Sequence, residues 1–263
     1  MVSAGSIPGT RPRRLLSIDG GGVAGLIPVE SLILMEQQLD ALTGREAPLC
    51  DRFDLIGGTS TGAILAAGLA FGLKADKLRR FYVDYGKEVF TKVSWPRRFW
   101  HSYPSGPIEQ RLMEVFGENT LLGSDKLRTN LLIVAKNVTL GTTWFFTNNP
   151  KGRFFHNNAG LALWQIVRAS AAAPTYFPPR KILVPGDNGE VNEYEFIDGG
   201  VSSYNNPSLQ VFLEATSQDY KFGWPTGPDR LLMLSLGTGF SLNQVSTGAA
   251  SHYNLFNWAG YSV

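Results

Sequence analysis

The sequence predicts a single α/β domain built on strands that feed tight turns and then helices, and three observations predict it. Short apolar runs alternate with segments whose apolar residues recur at helical spacing. Two of the runs, residues 15–18 and 53–56, end in glycine-flanked turns, Asp19-Gly-Gly-Gly-Val-Ala-Gly25 and Gly58-Thr-Ser60-Thr-Gly62, and each turn leads into an apolar helical pattern. With 263 residues, 43% of them hydrophobic and 17% charged, the chain is long and apolar enough to bury a large core.

Taken in order, residues 1–13 read as a lead-in and 14–263 as the domain proper. After the first strand, Leu26, Val29, Leu32, Ile33, Met35 and Leu39 recur at helical spacing with Pro28 in the first turn, which predicts a helix over 26–39. The second strand leads through Ser60 into Ala63-Ile-Leu-Ala-Ala67, whose small residues suit close packing on a sheet. A third helix is expected over 75–89. Residues 90–107 break the pattern, because Pro96, Pro104 and Pro107 interrupt a stretch in which Trp95, Phe99, Trp100 and Tyr103 stand beside Lys92, Arg97 and Arg98. This loop reads either as a packed connection or as a lid or lipid-facing surface. A helix over 108–116, strands over 131–138 and 142–146, and a helix over 161–172 stopped by Pro174 follow. Residues 182–184 and 193–197 flank the turn Pro185-Gly-Asp-Asn-Gly189 as a hairpin. A helix over 207–216 and a strand over 231–236, ending in the turn Gly237-Thr238-Gly239, complete the series.

A formal net charge of +2 with scattered basic residues gives no argument for nucleic acid. One cysteine, Cys50, excludes an internal disulfide framework and speaks against a Cys/His metal site. Arg11, Arg13 and Arg14 precede an apolar stretch, but Asp19 and three glycines break it, so it does not read as a signal h-region. No run approaches the roughly 20 apolar residues of a spanning helix. The expectation is a soluble chain, cytoplasmic or peripheral to a membrane.

Glycines on both sides of Ser60 let the backbone take a strained turn and leave the hydroxyl exposed, as a nucleophile elbow requires. The other glycine turn would then supply backbone N–H groups as an oxyanion hole. A serine hydroxyl needs a base. His101 and His156 fall in polar or aromatic loops, and His252 lies near the end without the punctuation that would hold an imidazole at a strand terminus. Asp198 ends an apolar run and precedes two glycines, which places a carboxylate at a strand end, where α/β ligands bind. A turn aspartate bonded to its own backbone is the other reading. Ser170, in Ala169-Ser-Ala171, reads as helix packing.

Asp19-Gly-Gly-Gly-Val-Ala-Gly-Leu-Ile-Pro28, Gly-Thr-Ser60-Thr-Gly, Ala169-Ser-Ala-Ala-Ala-Pro-Thr-Tyr-Phe177, Asp198-Gly-Gly and Leu234-Ser-Leu-Gly-Thr-Gly239 together resemble the patatin-like phospholipases over most of the chain. That resemblance implies a three-layer α/β/α domain with a central, mostly parallel sheet. It implies a lipid acyl hydrolase with a Ser60/Asp198 dyad and no histidine, cofactor or metal, an acyl-Ser60 intermediate, and an oxyanion hole from Gly20, Gly21, Gly22 and Val23. The partner is a lipid or acyl ester substrate, with peripheral contact to a membrane surface. Many members carry Arg or Lys where this chain has Ala24, which weakens the implication of a phospholipid substrate and leaves neutral acyl esters beside it. Two alternatives stand beside this reading. Gly20-x-Gly22-x-x-Gly25 also fits a dinucleotide fingerprint, although Asp51 and Asp54 lie at the wrong end of the second strand. The same fold can also serve an idle storage or interaction protein.

Overall fold

A computed structural model describes residues 11–89, 106–174, 176–187, 189–220 and 222–239, and leaves the side chains of 84–89 undescribed. The bulk of the aromatic and basic loop, with His101, and the segment containing His252 lie outside the described residues. The strands are β1 (Arg13–Ile18), β2 (Leu55–Thr59), β3 (Asn130–Asn137), β4 (Thr142–Thr147), β5 (Arg180–Pro185), β6 (Val191–Asp198) and β7 (Leu231–Leu236). The helices are α1 (Leu26–Thr43), α2 (Thr61–Ala70), α3 (Ala75–Val89), α4 (Gly106–Phe116), α5 (Phe155–Asn158), α6 (Leu163–Ser170) and α7 (Ser208–Thr216).

One sheet carries all seven strands of the described residues, with β7, β1, β2 and β3 parallel neighbours and β4 and β6 antiparallel to β3. β5 and β6 form the expected hairpin. Alternate residues of the central strands enter different cores, because successive side chains point to opposite faces. Leu16, Ile18, Ile56, Leu131 and Ile133 pack into the larger core, which includes residues of α1, α2, α3, α4 and α6. Leu15, Leu55, Leu132 and Val134 pack with Val211 and Ala215 of α7 on the other face. The result is a three-layer α/β/α domain, buried on both faces as parallel strands require.

Two elements differ from the sequence reading in a way that bears on the site. The second strand runs to Thr59, through Gly57 and Gly58, where the pattern predicted it to end at Ile56. Glycine is tolerated here because helices crowd the strand: a Cβ on Gly57 would lie 2.2 Å from the Val211 side chain. The helix expected over 161–172 is shorter, Leu163–Ser170, and ends before a turn that the site uses. α1 in turn runs past Leu39 to Thr43, where Gly44 closes it at φ 62.

Candidate active site

β2 ends at Thr59 and α2 begins at Thr61, so Ser60 alone makes the turn. Its backbone sits at φ 56, ψ −123, the one positive-φ non-glycine among the described residues. Such a conformation costs on the order of 1–3 kcal/mol and persists only where the surroundings enforce it. The flanking glycines are needed for close approach. A Cβ on Gly58 would lie 2.1 Å from the Gly62 carbonyl oxygen, and one on Gly62 would lie 2.2 Å from the carbonyl oxygen of Ile18. Any side chain at either position would force the elbow apart or push it off β1.

Asp198 reaches Ser60 along β3. That strand gives one edge first to β2, with Thr59 opposite Val134, and then to β6, with Asp198 opposite Ala135. β2 runs parallel to β3 and β6 antiparallel, so their C-terminal ends meet head-on between consecutive residues of a third strand. A Cβ on Gly199 would lie 2.5 Å from the Val134 carbonyl oxygen, so the glycine after Asp198 allows this junction to close. Ser60 Oγ donates to Asp198 Oδ2 at 2.5 Å, and Asp198 Oδ1 accepts the Gly200 N–H at 2.7 Å.

The pair is enclosed, with Ser60 7% and Asp198 5% exposed. Desolvation pushes the Asp198 carboxyl up to about 6, against the hydrogen bonds from Ser60 and Gly200 and the charge of Arg168. Arg168, on α6, is itself 1% exposed, donates to the Pro178 carbonyl, lies 3.6 Å from Glu109 and stands over the Phe177 ring. A carboxyl held near 6 is a stronger base at neutral pH than an ordinary one and is still ionised there.

The other glycine turn lies against the elbow, where a Cβ on Gly20 would come within 3.0 Å of Ser60 Cβ. Its Gly20 N–H donates to the Asn205 carbonyl, and the Gly20 carbonyl accepts from Thr238 Oγ1 at 2.8 Å and Asn205 Nδ2 at 3.2 Å. Gly21 N–H donates to Thr61 Oγ1 at 3.2 Å. Gly22, at φ 56, and Val23 open a short 3-10 turn, whose first N–H groups have no partner within the turn itself. Tyr82 locks the far end, donating its hydroxyl to the Thr61 carbonyl at 2.7 Å while its ring abuts Gly25. Burial also pushes the Asp19 carboxyl up to about 6, with Asn206 working against it, and Oδ1 is enclosed with no hydrogen-bond partner among the described residues.

Sequence reasoning missed Arg168, Asn205 and Tyr82, and read Ser170 as helix packing. The only available signals were weak: a polar turn Asn205-Asn206 a few residues after Asp198, and an arginine on a mostly apolar helix. His156 stands at the surface with Nε2 2.9 Å from Asp187 Oδ1. Asp54 sits at the start of β2's approach, bound by Arg11 at 2.7 Å and Arg13 at 2.9 Å, at the opposite end of the strand from Ser60. No cluster of three or more His, Cys, Asp or Glu suited to a metal ion occurs among the described residues. None of their helices is long and apolar enough to cross a membrane.

The family described as Patatin-like phospholipase has a sequence model that matches residues 16–212. Patatin-like protein 2 of Oryza sativa subsp. indica is 31% identical over 93% of this chain and 65% of its own length. Patatin-like protein 2 of Arabidopsis thaliana is 33% identical over 93% of this chain and 64% of its own. Patatin group J-1 of Solanum tuberosum is 32% identical over 86% and 60%. The chain thus spans just under two thirds of the length of these relatives. Among solved structures, that of VipD from Legionella pneumophila aligns with 91% of this chain and 64% of its own at 12% identity and a TM-score of 0.43, too distant to bear on the site.

Proposed function

The chain belongs to the patatin-like phospholipase family, and from that premise we propose that it is a lipid acyl hydrolase in which Ser60 is the nucleophile and Asp198 its general base. The observation that carries the reading is the 2.5 Å contact between Ser60 Oγ and Asp198 Oδ2 at a strained, enclosed elbow. Asp198 takes the hydroxyl proton as Oγ attacks the acyl carbon. The N–H groups of Gly22 and Val23 stabilise the oxyanion, those of Gly20 and Gly21, expected to share this role, being already bonded to the Asn205 carbonyl and Thr61 Oγ1, and the N-terminus of α2 adds its dipole. Collapse of the tetrahedral intermediate expels the alcohol, which leaves with the proton from Asp198. Water then attacks acyl-Ser60, gives its proton to Asp198, and releases the carboxylic acid as that proton returns to Oγ.

An apolar acyl chain suits the rim, because the glycine turn and the turn after Asp198 leave Val23 55% and Val201 51% exposed. Ala24 leaves the glycine turn without a fixed cation, which favours neutral acyl esters over phospholipids. The test is a panel of p-nitrophenyl esters and defined phospholipids run on the parent, Ser60→Ala and Asp198→Asn. Each substitution is expected to lower kcat by about 10³-fold or more with the fold intact. Activity that survives both, or survives Asp198→Asn but is abolished by His252→Ala, overturns the dyad. Failure of the parent to hydrolyse any ester or to react at Ser60 with a fluorophosphonate favours an idle protein.

A further inference from the structure

Ser170 sits at the last residue of α6 and is fully buried. Its hydroxyl accepts the Ser60 N–H at 2.8 Å and donates to the Val134 carbonyl at 2.6 Å. Val134 is the residue opposite Thr59 in the β2–β3 ladder. The pairing of β2 with β3 is therefore carried one residue further, into the turn, by a side chain instead of by the main chain. This matters because Ser60 has left strand geometry: its N–H would otherwise be a buried donor without an acceptor, which costs about 1–3 kcal/mol. Two residues on, the Ala172 carbonyl accepts the Asp198 N–H at 3.0 Å. One short segment, 170–172, thus holds the main chain of both members of the Ser60/Asp198 pair.

We propose that Ser170 is a positioning residue for the hydrolytic reaction: its hydroxyl clamps the elbow to β3 and, with Ala172, fixes how far Ser60 Oγ stands from Asp198 Oδ2. The proposal rests on the Ser60/Asp198 reading above. Ser170 touches neither substrate nor a reacting atom, and its effect passes through the Ser60 backbone. Without the clamp the strained turn relaxes, the hydrogen bond from Ser60 to Asp198 lengthens, and attack geometry is lost. Misplacement by about 1 Å can cost on the order of 10²-fold in rate.

The test compares the parent with Ser170→Ala and Ser170→Thr on a soluble p-nitrophenyl ester, with active sites counted by fluorophosphonate labelling. Ile108→Val, on α4, which carries neither member of the pair, serves as a packing control. Ser170→Ala should lower kcat about 10- to 100-fold with KM changed less than about threefold, whereas Ser170→Thr, which keeps the hydroxyl, should recover most of it. The acid limb of kcat/KM supplies a readout that mere destabilisation does not move. The charged group facing Asp198 is Arg168 on α6, and Asp19 lies on the neighbouring glycine turn. Losing the Ser60 hydrogen bond while those two stay in place should shift the limb to higher pH in Ser170→Ala and leave it unmoved in Ile108→Val. Per-site kcat equal to the parent's in Ser170→Ala, or a lower kcat with an unshifted limb, overturns the proposal. Should Ser170→Thr fail to fold, Ser170→Ala decides by the limb alone. Ser60→Ala and Asp198→Asn are measured in parallel, so a failed dyad shows as activity in those variants, separately from a failed clamp.

Discussion

Replacing Asp198 by asparagine should abolish activity and at the same time make the protein more stable at neutral pH. The carboxyl is almost wholly enclosed, and burial raises it from 3.8 to about 6. Between those values the folded state holds a proton that the unfolded chain has released, so stability falls as pH rises through this window. About 2 pH units at about 1.4 kcal/mol each make the ionised carboxylate a liability of about 3 kcal/mol above pH 6. An amide carries no such charge. Its oxygen can still accept the Gly200 N–H, and its NH2 can face Ser60 Oγ, which then accepts. Relative to the parent, Asp198→Asn should therefore gain about 3 kcal/mol at pH 8, about 6–12 °C in Tm for a chain of this length, and nothing below about pH 4. Urea unfolding of both proteins from pH 4 to 8 measures the difference directly. A stability difference that does not change with pH, or one that favours the parent at pH 8, refutes the claim that desolvation dominates this carboxyl.

The same titration should appear in turnover, with kcat/KM rising through about pH 6 as Asp198 loses its proton. Asp19 titrates in the same window, so Asp19→Asn is the control: the limb should stay, and its disappearance would assign it to Asp19. Among the glycines, Gly62→Ala should cost about 3 kcal/mol or more and remove activity, because its Cβ meets main-chain oxygens that cannot step aside. Gly22→Ala, which has open space around its Cβ but φ 56, should cost only about 1 kcal/mol. Equal losses of urea midpoint in the two variants would refute that ranking.

The sequence by itself determined the elements and the chemistry available to them. Alternating apolar runs and helical periods marked most strands and helices within a few residues, and glycines on both sides of Ser60 marked a turn that only small neighbours permit. The end of β2 was misplaced because glycines normally signal a break, whereas Gly57 and Gly58 lie inside a strand crowded by helix packing. Spacing carried no information on how Asp198 meets Ser60 across 138 residues. Only the tertiary structure decided that, because the meeting depends on two strands of opposite direction sharing one edge of β3. Ser170, Asn205 and Thr238 belong to the same class of fact. Each is an ordinary polar residue in the sequence and acquires its role from buried main-chain groups that folding brings beside it and that need a partner there.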